Sequence, residues 1–455
     1  MIPTINNNKF TKYNNSTLQY QNKPTFKGAN FSKSTKFLDN FLKSQENLST
    51  TRFIQGTLTN WLPKAVLSRS IADFSEFTFL EFLESGIFYF AAPAFGEHFF
   101  RNGLFKAIQP KHLKETVSKN LSKSVEEIKK SELSEEVKNR LTTTKAGVIL
   151  GCITVPAMEY ALGFAKNLFT LKVFKISDFN NVANLNKDKQ ENLEQQKRVE
   201  SHSKSVLLKT GLLSAAGIGS GLLLASKGHN SSAARKFSHI LLEPGIYISK
   251  GLHKLGIHSK NTDNFLKEYL KLDFDNNNGK LALSKGQLAL TCITGLFGYS
   301  AAAKDRGKLD VYEVWTRVPL VVLYTIFGSS ILDSGFKKIL ANKGKFPELI
   351  KKDENGNIAK IPTRKELPAI AEKLAKINKT TPDKELETLI KQKSIITGVP
   401  YLFSLLAMGF TLSAVSRIWT QYRYNHQVKN SESTTPSQKD FVQTSPAFQG
   451  FRLKK

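Results

Sequence analysis

The stretch SIITGVPYLFSLLAMGFTLSAVS, Ser394 to Ser416, lies between Lys393 and Arg417 and carries no charged side chain. Wound as a helix at about 1.5 Å per residue, it is long enough to cross a hydrocarbon layer about 30 Å thick. Three less extreme stretches share its design. Ala146 to Ala165, Thr210 to Ser226 and Gly286 to Ala303 are apolar, dotted with glycine, and have lysine at or just beyond both ends. Two shorter ones, Gly86 to Phe100 and Val318 to Leu332, suit either a crossing or a re-entrant or interfacial placement. The expected fold is all-α: a multi-pass helical membrane protein of four to six apolar helices with polar loops and disordered termini.

Composition limits how much of the chain lipid can hold. With 455 residues, 40% of them hydrophobic, and a mean hydropathy of −0.28, about half of the chain must lie in water. The net charge of +28 comes from lysines spread through every loop and interleaved with glutamate, not from a basic stripe. An anionic lipid surface fits that spread better than a nucleic acid does, so the expected partner is the lipid bilayer. The two cysteines, Cys152 and Cys292, both sit in apolar stretches, which excludes a disulfide framework and makes each a small buried hydrophobe.

The polar regions divide the chain. Residues 1–35 are rich in Asn, Lys and Thr and lack the apolar core of a cleavable signal peptide, so they read as a disordered tail. Residues 36–110 read as amphipathic or interfacial helices with a short apolar insertion. There phenylalanine recurs at almost every second or third position, and Asp73, Glu76, Glu81 and Glu84 fall largely on one side, as on a helix lying at the interface. Residues 111–145 form a charged helical segment with Leu113, Val117, Leu121, Val125, Ile128 and Leu133 near heptad spacing. Then come a helical membrane domain with polar loops (146–332), a soluble insertion (333–393), the transmembrane helix (394–416) and a second disordered tail (425–455). The insertion holds the turn Glu354-Asn355-Gly356-Asn357, a hairpin candidate followed by two short helices. Because nearly every connection is basic, the positive-inside rule does not choose an orientation. Both termini are expected on the cytoplasmic face.

Several motifs bear on chemistry. Asp273-Phe274-Asp275-Asn276-Asn277-Asn278-Gly279 offers oxygens at alternate positions, but a calcium loop needs glycine sixth and glutamate twelfth, where Asn278 and Ser284 stand. It reads as a polar turn. Gly217 and Gly221, like Gly147 and Gly151, are four apart on one helical face and read as helix-packing positions. Glu97 and Glu159 each follow a proline (Pro93, Pro156) within an apolar stretch and are the candidate intramembrane carboxylates, since a carboxylate at membrane depth needs a partner or water. The tails share a pattern in which Phe26 and Phe448 stand between a proline and a glycine, a candidate docking motif for a protein partner. No catalytic, cofactor-binding or metal-ligating signature emerges, and no enzymatic activity is expected. The leading functional expectation is a membrane-embedded structural or interaction protein. The alternatives are a transporter or channel using the intramembrane carboxylates, and a soluble or peripheral all-helical protein on anionic membranes.

Overall fold

The computed structural model describes residues 31–46, 60–87, 95–186, 190–277, 280–353, 356–359 and 361–434. Phe26, Phe448 and Pro93 lie outside them. The described chain is helical apart from one short two-stranded ribbon. Four helices among the described residues are long and apolar enough to cross a membrane: Glu135–Phe174, Leu193–Asn230, Lys308–Asn342 and Pro382–Gln427. Three of them contain stretches read as spans in the sequence. The fourth contains Val318 to Leu332, whereas Gly286 to Ala303 forms a separate 20-residue helix that is buried along one side and exposes Leu290, Ile293 and Phe297 on the other.

In chain order, α1 (Lys33–Glu46) and α2 (Ile71–Gly86) come first, followed by a π-helical segment, Phe95–Leu104. The charged segment 111–145 is not one heptad helix. After α3 (Lys114–Asn120), Ser124 and Ser134 each accept a hydrogen bond from the backbone N–H three residues on, and these caps restart the chain as α4 (Val125–Lys130) and α5 (Glu135–Gly151). Val117, Leu121 and Ile128 still share a core with Leu141, but Val125 turns to a neighbouring core with Phe105 and Phe274.

The first apolar span is broken at Cys152 and Ile153, and α6 (Thr154–Phe174) continues it. Pro156 causes the break, because its ring crowds the carbonyl four residues earlier, that of Cys152. Antiparallel to α5 runs α7 (Leu193–Lys227). Their crossing is set by Gly147 and Gly221, where a methyl on either would strike the other's carbonyl oxygen, and by Gly217, whose missing Cβ would stand 2.7 Å from the Leu150 carbonyl oxygen. A methyl on Gly151 would meet the Phe100 ring at 3.2 Å, not a helix backbone.

After α8 (Ser232–Leu242), α9 (Pro244–Lys254) and α10 (Lys260–Tyr269), β1 (Asp275–Asn277) pairs antiparallel with β2 (Lys280–Ala282), Asp275 opposite Ala282. This ribbon stands where the sequence reads as a polar turn. It is anchored from outside, since Glu97 Oε2 accepts from Leu281 N at 3.1 Å. The hairpin expected around Gly356 reduces to one bridge, Lys352 to Ile358, because Leu349 and Ile350 turn into a helical core instead of continuing a strand.

Next come α11 (Lys285–Lys304), α12 (Lys308–Leu323), a π-helical segment Tyr324–Gly328 and α13 (Ser329–Asn342). The helix containing Val318 to Leu332 thus runs on to Asn342, ten residues into the expected soluble insertion. Beyond α14 (Leu367–Asn378), α15 (Pro382–Phe403), a third π segment (Ser404–Thr411) and α16 (Leu412–Thr434) form one continuous rod. It carries helix past Asn425, where the C-terminal tail was expected to begin.

Two bodies result. In the first, Leu42 of α1 packs with Leu349, Ile350, Leu367, Ala371, Leu386, Leu389, Ile390 and Ile396, and we call this the head. Thr35 Oγ1 donates to Glu387 Oε1 at 2.7 Å and Asp39 pairs with Arg364, tying α1 across the sequence to the later insertion. The second body is the helical bundle around α6 and α11, which run parallel with Gly295 beside Glu159 and Gly298 against the Tyr160 backbone.

Candidate functional site

Helix α2 decides the character of the bundle. Its acidic side was expected to face water at an interface, and the structure corrects this. Asp73, Glu76 and Glu81 are buried, while Phe74, Phe82 and Leu83 point outward and are exposed. The helix is inverted relative to a soluble amphipathic one. Its neighbours behave alike, since Leu208, Leu212 and Leu223 of α7, Leu320 and Leu323 of α12, and Leu402, Leu406 and Ile418 of the last rod are all at least half exposed. Of the most apolar window in Leu193–Asn230 only 6% is buried. Water gives no reason for such a surface.

Inside lies a cavity of about 110 Å³ lined by α2, α6, α11, α12 and the π segment that precedes α16. Its wall carries six acids (Glu76, Glu81, Glu84, Glu159, Asp310, Glu313) against three basic side chains (Lys64, Lys166, Arg317). Burying charge is tolerable only with partners, so the pairing matters. Glu76 Oε1 accepts from Arg306 Nη1 and Lys166 Nζ, each at 2.9 Å, and its Oε2 accepts from Thr170 Oγ1. Arg69 grips Glu313 with both terminal nitrogens, at 2.8 and 3.1 Å, and reaches Asp73 through Nε at 3.2 Å. Lys64 pairs with Glu81, and Arg306 Nε lies 3.5 Å from Asp310. Arg417, which ends the defining span, donates to the Lys64 carbonyl and lies 3.5 Å from Asp73.

Burial alone would raise the Glu76 carboxyl, but the Arg306 and Lys166 cations overcome it and hold the group down at about 2. Burial likewise opposes the charges on Arg306 and Arg69. Their carboxylate partners, Glu76 and Asp310 for the one and Glu313 and Asp73 for the other, win and hold both guanidinium groups more firmly protonated than usual.

Two acids on the wall form no salt bridge among the described residues, Glu84 and Glu159, although Lys64 and Arg317 act on Glu84 through space. Tyr299 stands between them, its hydroxyl 3.2 Å from Glu159 Oε1 and 3.4 Å from Glu84 Oε2. Glu159 is 3% exposed, and its Oε2 has no hydrogen-bond partner among the described residues. Gly295 makes the room, since a methyl there would come within 2.9 Å of Glu159 Oε1.

The two candidate carboxylates of the sequence thus separate. Glu97 pairs with Arg101 at 2.8 Å and ties down β2, outside the cavity lining. Glu159 faces the cavity. Sequence reading missed Glu84 as an inward group, along with Tyr299, Gly295 and the arginines 69, 306 and 317. For Glu84 the signal was present, because four acids on one side of a phenylalanine-rich helix mark a polar interior as well as a wet surface.

The helices that line the cavity are irregular at its wall. Pro319 precedes the π segment Tyr324–Gly328, and Pro400 precedes Ser404–Thr411. The Tyr324 and Ser404 hydroxyls bond one π segment to the other. Thr325 and Gly409 both line the cavity. Such single-turn π distortions concentrate at functional sites. Elsewhere, Ser249, His253 and Asp263 meet on α9 and α10, but both Ser249 Oγ and His253 Nε2 bond the Asp263 carboxylate, so no histidine is set to activate the serine. No group of three His, Cys, Asp or Glu side chains suited to a metal ion occurs among the described residues.

No known protein family, curated protein or solved structure matches this chain. The functional argument therefore rests on the cavity itself.

Proposed function

We propose that the protein is an integral membrane protein that moves a solute through the acid-lined cavity of its helical bundle, the transporter reading of the sequence. The observation that carries it is the inversion of the bundle, with charged groups inside, apolar side chains outside, and a carboxylate of α6 left without a cation at the cavity wall. Ionisable groups within apolar helices are expensive and are retained where they bind or pass a polar species. Helices broken beside such a site supply both ligands and movable segments, as in secondary transporters. The cavity has room for only a few water-sized groups at about 30 Å³ each, so the species that passes is small or is admitted when the π segments shift.

A bilayer around the apolar middle of Pro382–Gln427 also bears on topology. The rod is 46 residues, about 69 Å at 1.5 Å per residue, so it projects beyond a 30 Å core. Helix α1 packs at its Ile390 end and Tyr424 lies at the other, beside Leu309. On that reading α1 and Tyr424 lie toward opposite faces.

The test is flux. The chain reconstituted into liposomes should accumulate protons or a small cation under an imposed potential, above empty vesicles. Transport equal to that of empty vesicles sinks the reading and returns the head, the part best suited to gripping a partner, to first place as the core of a membrane-anchored interaction protein.

A further inference from the structure

Within that transport reading, we infer that the ion held at the cavity is a proton, carried by the unit Glu84–Tyr299–Glu159. The argument begins with hydrogen-bond arithmetic. A tyrosine hydroxyl has one proton and can donate to only one carboxylate at a time. Tyr299 Oη nevertheless lies within hydrogen-bond distance of both Glu159 Oε1 and Glu84 Oε2. Both contacts are bonds only when one carboxyl carries a proton and donates it to Tyr299 Oη while the tyrosine donates to the other. The unit therefore stores one exchangeable proton and one negative charge.

The same geometry moves that proton. When the Glu84 acid gives its proton to Tyr299 Oη, and the tyrosine passes its own to Glu159, one O–H bond breaks and one forms on each side of the phenolic oxygen. The charge of the unit stays at minus one. Glu76 and Glu84 are eight residues apart on α2, about 12 Å along the helix. Because Glu76 bonds Thr170 while Glu84 and Glu159 share Tyr299, α2 runs antiparallel to α6 and the shared proton lies deeper than the Arg306 cluster.

The surroundings favour a proton over a metal ion. Every other acid of the wall is already engaged: Glu76 by Arg306 and Lys166, Glu81 by Lys64, Glu313 by Arg69, and Asp310 by Arg306. The remaining groups facing the unit are Arg317 from α12, which pairs with no carboxylate among the described residues and sits over the Phe77 ring, and the thiol of Cys292 from α11. Two carboxylates joined through a hydroxyl are too few oxygens for a dehydrated divalent ion, which takes six or more ligands. Glu159 lines the cavity, so a proton that Tyr299 delivers to its Oε1 has a way out into that space.

The experiment uses the full chain in liposomes and reads two signals. Infrared difference spectra across a pH titration should contain a carbonyl stretch of one protonated carboxyl per chain, shifted by H/D exchange. It should persist in E136Q, a control on the exposed start of α5, vanish in E159Q, and titrate at a displaced pH in Y299F. Acidification of the vesicle lumen under a potassium diffusion potential should fall at least tenfold in E159Q and Y299F. A carboxyl band that survives E159Q, or a wild type without any such band, overturns the proposal. Proton flux that continues in E159Q overturns it as well. A band that behaves as expected without flux in wild type keeps the proton site and sinks the transport reading alone. Y299F keeps the test alive if E159Q does not fold, because it removes one hydroxyl and no volume from the packed interior.

Discussion

The head and the bundle of this chain solve the burial problem in opposite ways. In the head, leucine and isoleucine from α1, α14 and α15 fill the interior, and pairs such as Lys391 with Glu387 lie outside. In the bundle, arginine and glutamate share the interior with apolar clusters such as that of Phe164 and Ala302, and leucines of α7, α12 and the rod lie exposed at the surface. Arg306, at 1% exposure, holds in one region the place that Leu367 holds in the other. One chain therefore carries two rules for which face of a helix turns inward, and the rule changes along a single rod, between Ile396 of the head core and the exposed Leu402. What differs is the medium each surface meets.

The sharpest way to break this contrast is to remove a charge from the inverted interior. Arg306→Met leaves Glu76 and Asp310 buried without their guanidinium, and the variant should lose about 3–5 kcal/mol of stability. A thermal melt in detergent should display a collapse of the bundle, and unchanged melting would mean the network is ornamental. The outward face is tested next. Leu212→Lys on the exposed side of α7 should cost about 2.5–3.5 kcal/mol if that side meets lipid, and less than about 0.5 kcal/mol if it meets water. Retention in the pellet after alkaline carbonate extraction, compared between wild type and variant, reads the difference. Full retention of the variant would argue that the α7 surface is wet.

The glycine contact comes third. Gly147→Ala forces α5 from α7 and should cost about 1–3 kcal/mol, readable as a lower melting midpoint, whereas Gly219→Ala has open space around it and should be silent. Acid sharpens the comparison further. Glu76 is held at about 2, below the ordinary 4.5, so its contribution is complete above about pH 4.5 and fades as the pH falls toward 2. The bundle should loosen over that window at low pH, and Glu76→Gln should flatten the dependence. The smallest effect belongs to the head, where Lys391→Gln removes the exposed cation beside Glu387 and should change stability by less than about 1 kcal/mol.

How much of this was legible follows from the same contrast. The long uncharged run before Arg417, the lysine-flanked segments and the four-residue glycine spacings, Gly147 to Gly151 and Gly217 to Gly221, are local patterns, and a sequence displays them directly. The inward turn of α2 was not legible, because Asp73, Glu76, Glu81 and Glu84 on one side fit a wet face and a polar interior equally well. The tie-breakers, Arg306 in the link between α11 and α12 and Lys166 within α6, are distant in sequence. Glu159 could be singled out as a carboxylate in an apolar helix, but its companions Tyr299 and Glu84 come from two other helices, and no spacing along the chain announces them. Similarly, α1 carries no mark that its partner lies more than three hundred residues away at Glu387.

The rod from Pro382 to Thr434 joins the two bodies without a joint, except for the π segment at Ser404–Thr411. A π turn holds one residue more than the α-helical path requires, and each residue of an α-helix turns the chain by about 100°. Letting that extra residue slip into or out of register would rotate Arg417 and everything beyond it about the rod axis relative to the head. The rod is then a crankshaft: torque applied where α1 grips its outer end would arrive at the Arg417–Asp73 contact beside the cavity, some distance from any hand that turns it.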